Sequence, residues 1–63
     1  MKTVPKRIYT VDEASHYLGR SVPAVRAMIR EGKFPFIKDG RRVMLDVNDL
    51  DRWIDRSKER FDY

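Results

Sequence analysis

The chain has 63 residues, 41% hydrophobic and 38% charged, with a net charge of +4. That describes one domain over residues 1–63 with a small core and enough apolar content to fold. The lack of cysteine excludes disulfides and cysteine-based zinc sites, no apolar run reaches the roughly 18 residues of a membrane span, and the basic start through Arg7 has no signal-peptide core, so a cytoplasmic protein is expected.

The charge is unevenly spread. Residues 1–19 carry +1, residues 20–42 carry +5 and residues 43–63 carry −2. The middle third sets Arg20, Arg26, Arg30, Lys33, Lys38, Arg41 and Arg42 against Glu31 and Asp39. A stretch of this kind attracts polyanions or simply keeps a surface solvated. Its placement on the predicted elements separates the two.

In chain order, residues 1–7 read as a basic tail, with Lys2, Lys6 and Arg7 as the cations of an alternative groove-following arm. Thr10-Val11-Asp12-Glu13 is a capping box that opens a first helix, and Val11, Ala14, Tyr17 and Leu18 form its buried stripe. Gly19 stops it. Ser21 caps a second helix with Pro23 in its first turn, where a missing amide costs little. Val25, Met28 and Ile29 face the core; Val22, Pro23, Ala24, Arg26, Ala27 and Arg30 point wholly or partly outward; Gly32 ends the helix. Only Gly19 and Arg20 separate the first helix from the second cap, the spacing of a helix-turn-helix.

After Lys33 the period shortens to about two. Phe34–Ile37 reads as a strand that Pro35 confines to a start or an edge, Asp39-Gly40 as the hairpin turn, and Arg42–Leu45 as the returning strand. Asp46 caps a third helix whose stripe is Val47, Leu50, Trp53 and Ile54, packed behind the basic elements. Residues 58–63 carry no stop signal and are expected to fray. The fold class is mainly α with a small β-hairpin, a winged helix-turn-helix of order α-α-β-β-α.

Two helices followed by a basic hairpin suit duplex DNA, one element entering the wide groove and the other reaching the backbone or narrow groove. Arg26 and Arg30 lie four apart on one face, placed to pair with guanine O6 and N7 or to clamp a phosphate. Val22, Pro23, Ala24 and Ala27 offer no side-chain hydrogen bonds; the first three suit thymine methyl groups or a close backbone approach. Lys38, Arg41 and Arg42 reach phosphates or a narrow groove, or else guard a strand edge. Strand alternation aims only one of Arg41 and Arg42 at DNA. Ser21 suits a phosphate at the helix start, and Arg20 and Lys33 flank the same helix as backbone contacts. A face so poor in base-reading groups implies modest specificity per copy, supplemented by shape readout or by several copies side by side.

Little else suggests chemistry. His16 is a lone histidine on a helix; Asp46, Asp49, Asp51 and Asp55 form a cap and a solvated face rather than an opposed acid/base pair. There is no phosphate-cradling glycine loop and no nucleophile set. Trp53, Phe34 and Phe36 read as core, and Phe61 and Tyr63 as a docking point or a loose end. No catalysis, metal, cofactor or small-molecule ligand is expected.

Tyr9–Ala14, Tyr17-Leu18-Gly19, Ser21, Val25, Ile29–Pro35, Gly40-Arg41-Arg42 and Asp49–Trp53 together resemble the excisionase-type winged helix-turn-helix, small relatives of the DNA-binding domain of mercury-resistance-type regulators. The resemblance covers roughly residues 8 to 56. It implies that the second helix enters the major groove and the wing lies along the neighbouring minor groove. By position, Arg26 matches the arginine of the reading helix, and Arg42 lies in the basic pair of the wing. Arg20 departs from a usually apolar position, and Ala24 and Ala27 replace larger or polar residues, which bears on base preference rather than fold. A stand-alone domain of this type resembles a phage or mobile-element excisionase (a recombination directionality factor): it binds repeated sites in double-stranded DNA beside copies of itself, bends them and biases an integrase toward excision. A small prophage regulator on the same fold is the competing expectation, and a protein-interaction adaptor a third.

Overall fold

The computed structural model describes residues 6–61 of the chain. Its elements run β1 (Ile8–Thr10), α1 (Val11–Leu18), α2 (Val22–Arg30), β2 (Ile37–Asp39), β3 (Arg42–Asp46) and α3 (Val47–Ser57). The strands form one antiparallel sheet in the order β1-β3-β2, with Tyr9 opposite Leu45 and Lys38 opposite Val43. The three helices and the wing are as expected; β1 is an addition. Ile8, Tyr9 and Thr10 are all good strand formers, but three residues make no readable alternation. Thr10 does two jobs, closing β1 and capping α1.

The caps explain where the helices begin and end. The Thr10 hydroxyl accepts from the Glu13 amide at 3.1 Å, and the Glu13 carboxylate accepts from the Thr10 amide at 2.9 Å. Both α1 and α2 close on left-handed glycines. Past α1, the amides of Gly19 and Arg20 donate to His16 and Ser15; past α2, those of Gly32 and Lys33 donate to Ile29 and Met28. This paired pattern satisfies carbonyls that would otherwise be orphaned.

The core is one cluster of Val11, Ala14, Val25, Met28, Phe34, Leu45 and Leu50, drawn from every helix, from β3 and from the segment between α2 and β2. Phe34 meets Trp53 edge to face at 6.1 Å. The core hydroxyl that periodicity does not reveal is Ser15, buried and donating to the Asp12 carbonyl at 2.6 Å.

Five expectations are corrected. Tyr17 is not buried: it is 42% exposed, its ring lies 5.3 Å from that of Tyr9, and its hydroxyl donates to Asp51 of α3. That bond, with burial and the Asp51 charge adding to it, holds the Tyr17 phenol above its usual titration range. Phe34–Phe36 is not strand; β2 begins at Ile37. Pro35 offers no amide to a ladder, and without strand alternation the two phenylalanines part, Phe34 3% exposed and Phe36 49%. Phe36 is therefore not core. The turn is Gly40-Arg41, since Asp39 pairs with Arg42. Gly40 alone has positive φ there, as a glycine-first two-residue turn requires.

The fifth concerns the expected tail at residues 1–7, of which residues 1–5 lie outside the described residues. Lys6 and Arg7 are tied down. Arg7 donates to the Asp46 carboxylate from Nε at 3.1 Å and Nη2 at 2.9 Å, and its carbonyl accepts from the Val47 amide at 2.8 Å. Lys6 pairs with Glu13. The Arg7 guanidinium, aided by the Asn48 amide, holds Asp46 below the usual carboxylate range; Lys6, aided by the Thr10 amide, does the same for Glu13. At the other end α3 stops at Ser57, and residues 58–61 form no regular element.

Candidate nucleic-acid interface

Inward packing of Val25 and Met28 fixes the rotation of α2. Arg26 and Arg30, one helical turn apart, then stand together on the exposed side. The start of the helix is set by Ser21, whose hydroxyl accepts from the Ala24 amide at 3.2 Å. That hydroxyl keeps its proton free to donate outward. Val22, Ala24 and Ala27 are partly covered and Pro23 is exposed, so the start of α2 presents a smooth, small-residue surface.

The wing meets α2 across a cleft of about 400 Å³ whose lining includes Arg26, Arg41, Arg42 and Val43. Arg26 and Arg30 also line an adjoining hollow of about 200 Å³ with Ile29, Phe36 and Val43. Arg26 thus links the helix face to the tip of the wing. Both wing arginines line the cleft, contrary to the expectation that alternation would admit one. Arg41 sits in the turn, where strand alternation does not apply, and Arg42 begins β3. Lys38 lies directly opposite Val43, so the two share a face of the sheet.

Lys38 is not among the residues that line the two clefts, and two further candidates stand apart from this group. Arg20 lines a separate cleft with Leu18, Trp53 and Ile54, between the ends of α1 and α3. Lys33 is exposed beyond α2, with its carbonyl accepting from Arg56 of α3 at 3.2 Å. Sequence reasoning missed Thr10 and Asp12, which line the cleft beside Arg26. Asp12 brings a carboxylate to a basic surface, where it repels phosphate or accepts from a cytosine amino group. The capping box gave its position on α1; nothing local told that β3 would fold against it.

Most of the cations fall into two sets; Arg56, which donates to the Lys33 carbonyl, and Arg60 belong to neither. Lys6, Arg7, Arg52 and Lys58 pair with Glu13, Asp46, Asp49 and Asp55. Among the described residues, no carboxylate lies within ion-pair distance of Arg20, Arg26, Arg30, Lys33, Lys38, Arg41 or Arg42. Four of these seven converge on the adjoining clefts, where Asp12 is the carboxylate beside them, so the surface stays net positive. Such a surface concentrates an external polyanion.

The sequence pattern of a known family, described as a helix-turn-helix domain, matches residues 8–58. No curated protein and no solved structure matches the chain.

Proposed function

The chain belongs to the helix-turn-helix domain family, and we propose that it is a non-catalytic, sequence-specific DNA-binding protein of the excisionase type. Family membership supports the binding of DNA. On this reading α2 enters the major groove of double-stranded DNA and the wing follows the neighbouring minor groove. Arg26 reads a base or clamps a phosphate, Arg30 supports it, and Arg41, Arg42 and Lys38 hold the backbone beside the wing. The Ser21 hydroxyl, with Val22, Pro23, Ala24 and Ala27, lets the helix approach closely. Arg20 and Lys33 make outlying phosphate contacts at the two ends of α2.

The observation that carries this reading is the meeting of Arg26 and Arg30 with Arg41 and Arg42 across adjoining clefts, with no internal carboxylate pairing any of them. The finer role follows from what that face lacks. Two guanidinium groups and a row of small apolar side chains read few bases, so affinity comes from phosphates and from the shape of the duplex. A protein that binds through shape gains from bending its site and from neighbouring copies on adjacent sites. This suits an excisionase that acts on the bacterial nucleoid and biases an integrase toward excision.

Footprinting on the attachment region of a mobile element, combined with circular permutation of a labelled site, tests the role. Several adjacent protected sites that fill together on bent DNA are expected. One protected site on straight DNA overlapping a promoter indicates a small transcriptional regulator instead. Weak binding that ignores salt indicates a protein-interaction adaptor.

A further inference from the structure

We infer that Phe36 is an apolar base contact, reading the C5-methyl group of a thymine beside the guanidinium groups of Arg26 and Arg30. The inference rests on the DNA-binding reading above and adds a specificity-determining residue to it.

Three observations lead here. First, Phe36 is 49% exposed, whereas Phe34, two positions earlier, is buried against Trp53. The segment between α2 and β2 sends one ring inward and leaves the other outside. Second, the outer ring is not on a remote surface. It lines the hollow with Arg26, Arg30, Ile29 and Val43. A large apolar side chain between two unpaired arginines is poorly placed for stability and well placed for a ligand that offers negative charge and an apolar edge together.

Third, the outer face of α2 is short of readers. Val22, Pro23, Ala24 and Ala27 carry no side-chain hydrogen-bond donor or acceptor. Apart from Arg26 and Arg30, discrimination on this face falls to apolar contact. The thymine methyl is the apolar feature that the major groove presents. Phe36 sits with the α2 arginines and is absent from the cleft at the wing tip. Its place is therefore the major-groove side, where methyl groups lie, rather than the narrow groove, where rings act as wedges.

The test begins with the duplex that the wild-type protein enriches from a random-sequence pool. Each thymine of that duplex is replaced singly by uracil, which pairs identically and lacks only the methyl group. Affinities of wild type, Phe36→Ala and Phe36→Leu are read by fluorescence anisotropy, with folding checked by circular dichroism. At one or two positions uracil should weaken the wild type by roughly threefold to tenfold, the scale of one buried methyl group. Phe36→Ala should lose a similar factor on the thymine duplex and become indifferent to uracil at those positions. Phe36→Leu should keep part of the response, and it carries the test if the alanine variant does not fold. The same uracil response in wild type and a folded variant overturns the inference, as does a wild type that tolerates uracil everywhere. Either result leaves the DNA-binding reading standing. Failure to enrich any duplex removes that reading and the inference with it.

Discussion

Arg7 and Arg26 are the same side chain used in opposite ways. Arg7 leans on Asp46, which also caps α3 through the Asn48 amide at 2.9 Å, so one carboxylate joins the start of the chain to the third helix. Arg26, also exposed, makes no ion pair and faces Arg41 and Arg42 across a cleft that Asp12 borders. The same contrast runs through the molecule. On the β1 and α3 side, Lys6, Arg7, Arg52 and Lys58 are paired with carboxylates. On the α2 and wing side, the cations make no ion pairs, even with Asp12 at the edge of their cleft. Net charge does not reveal this division; the pairing does. The lesson is that a small basic domain keeps its binding charge available by settling its structural charge elsewhere.

The comparison can be broken at four places. The largest effect lies beneath both regions. Leu45 is fully buried in the middle strand, between β1 and β2, and Leu45→Ala should cost about 2–5 kcal/mol of stability. A domain of this size has little to spare, so urea unfolding should show near-complete loss of the fold and DNA affinity should vanish with it. Next, Arg26→Ala should weaken DNA binding by about 1–3 kcal/mol and relax base preference at one position, with an unchanged melting temperature. An equal loss on all sequences would reassign Arg26 to a phosphate. Arg42→Ala should lower affinity evenly across sequences and reduce the salt slope by about 1. Unaltered binding by the folded variant would take the wing out of the interface.

The smallest effect belongs to the paired side. Glu13 and Asp46 both titrate below their usual range in the folded state. A lowered carboxylate contributes stability that is present above its unfolded value, about 4, and lost as pH falls through the folded one. Melting temperature should therefore stay level from neutral pH to about 5 and decline below about 4. Asp46→Asn, which keeps a good capping side chain, should blunt that decline. Arg26→Ala should leave the decline untouched. A matching change in both variants would erase the distinction between structural and binding cations.

Much of this was legible along the chain because it is local. The caps at Thr10, Ser21 and Asp46 and the stops at Gly19 and Gly32 depend on residues within one turn of each other. The stripe that turns Arg26 and Arg30 outward is a matter of spacing alone. The misreadings share a different cause, which is partners distant in sequence. Ile8–Thr10 becomes a strand because β3 is there to pair with it, some 35 residues on. Arg7 is anchored by Asp46, and Tyr17 is drawn outward by Asp51. Phe36 looked like core because its neighbour Phe34 is core, and only the break of alternation at Pro35 separates them. The charge of the site was readable; the placing of both wing arginines in one cleft was not. Whether Arg41 and Arg42 both reach Arg26 depends on which two residues make the turn, and that shift of one position changed the answer.

The dependence of duplex affinity on salt tests the central claim most directly, with wild type compared to a variant carrying Arg41→Ala and Arg42→Ala together. If the unpaired cations are the binding charge, the five phosphate contacts assigned to Arg20, Lys33, Lys38, Arg41 and Arg42 give a log–log slope of roughly −4 to −5 for the wild type. The double variant should be shallower by about two, with an unchanged melting temperature. A wild-type slope near zero, or a folded double variant that matches the wild type at every salt concentration, would contradict the account.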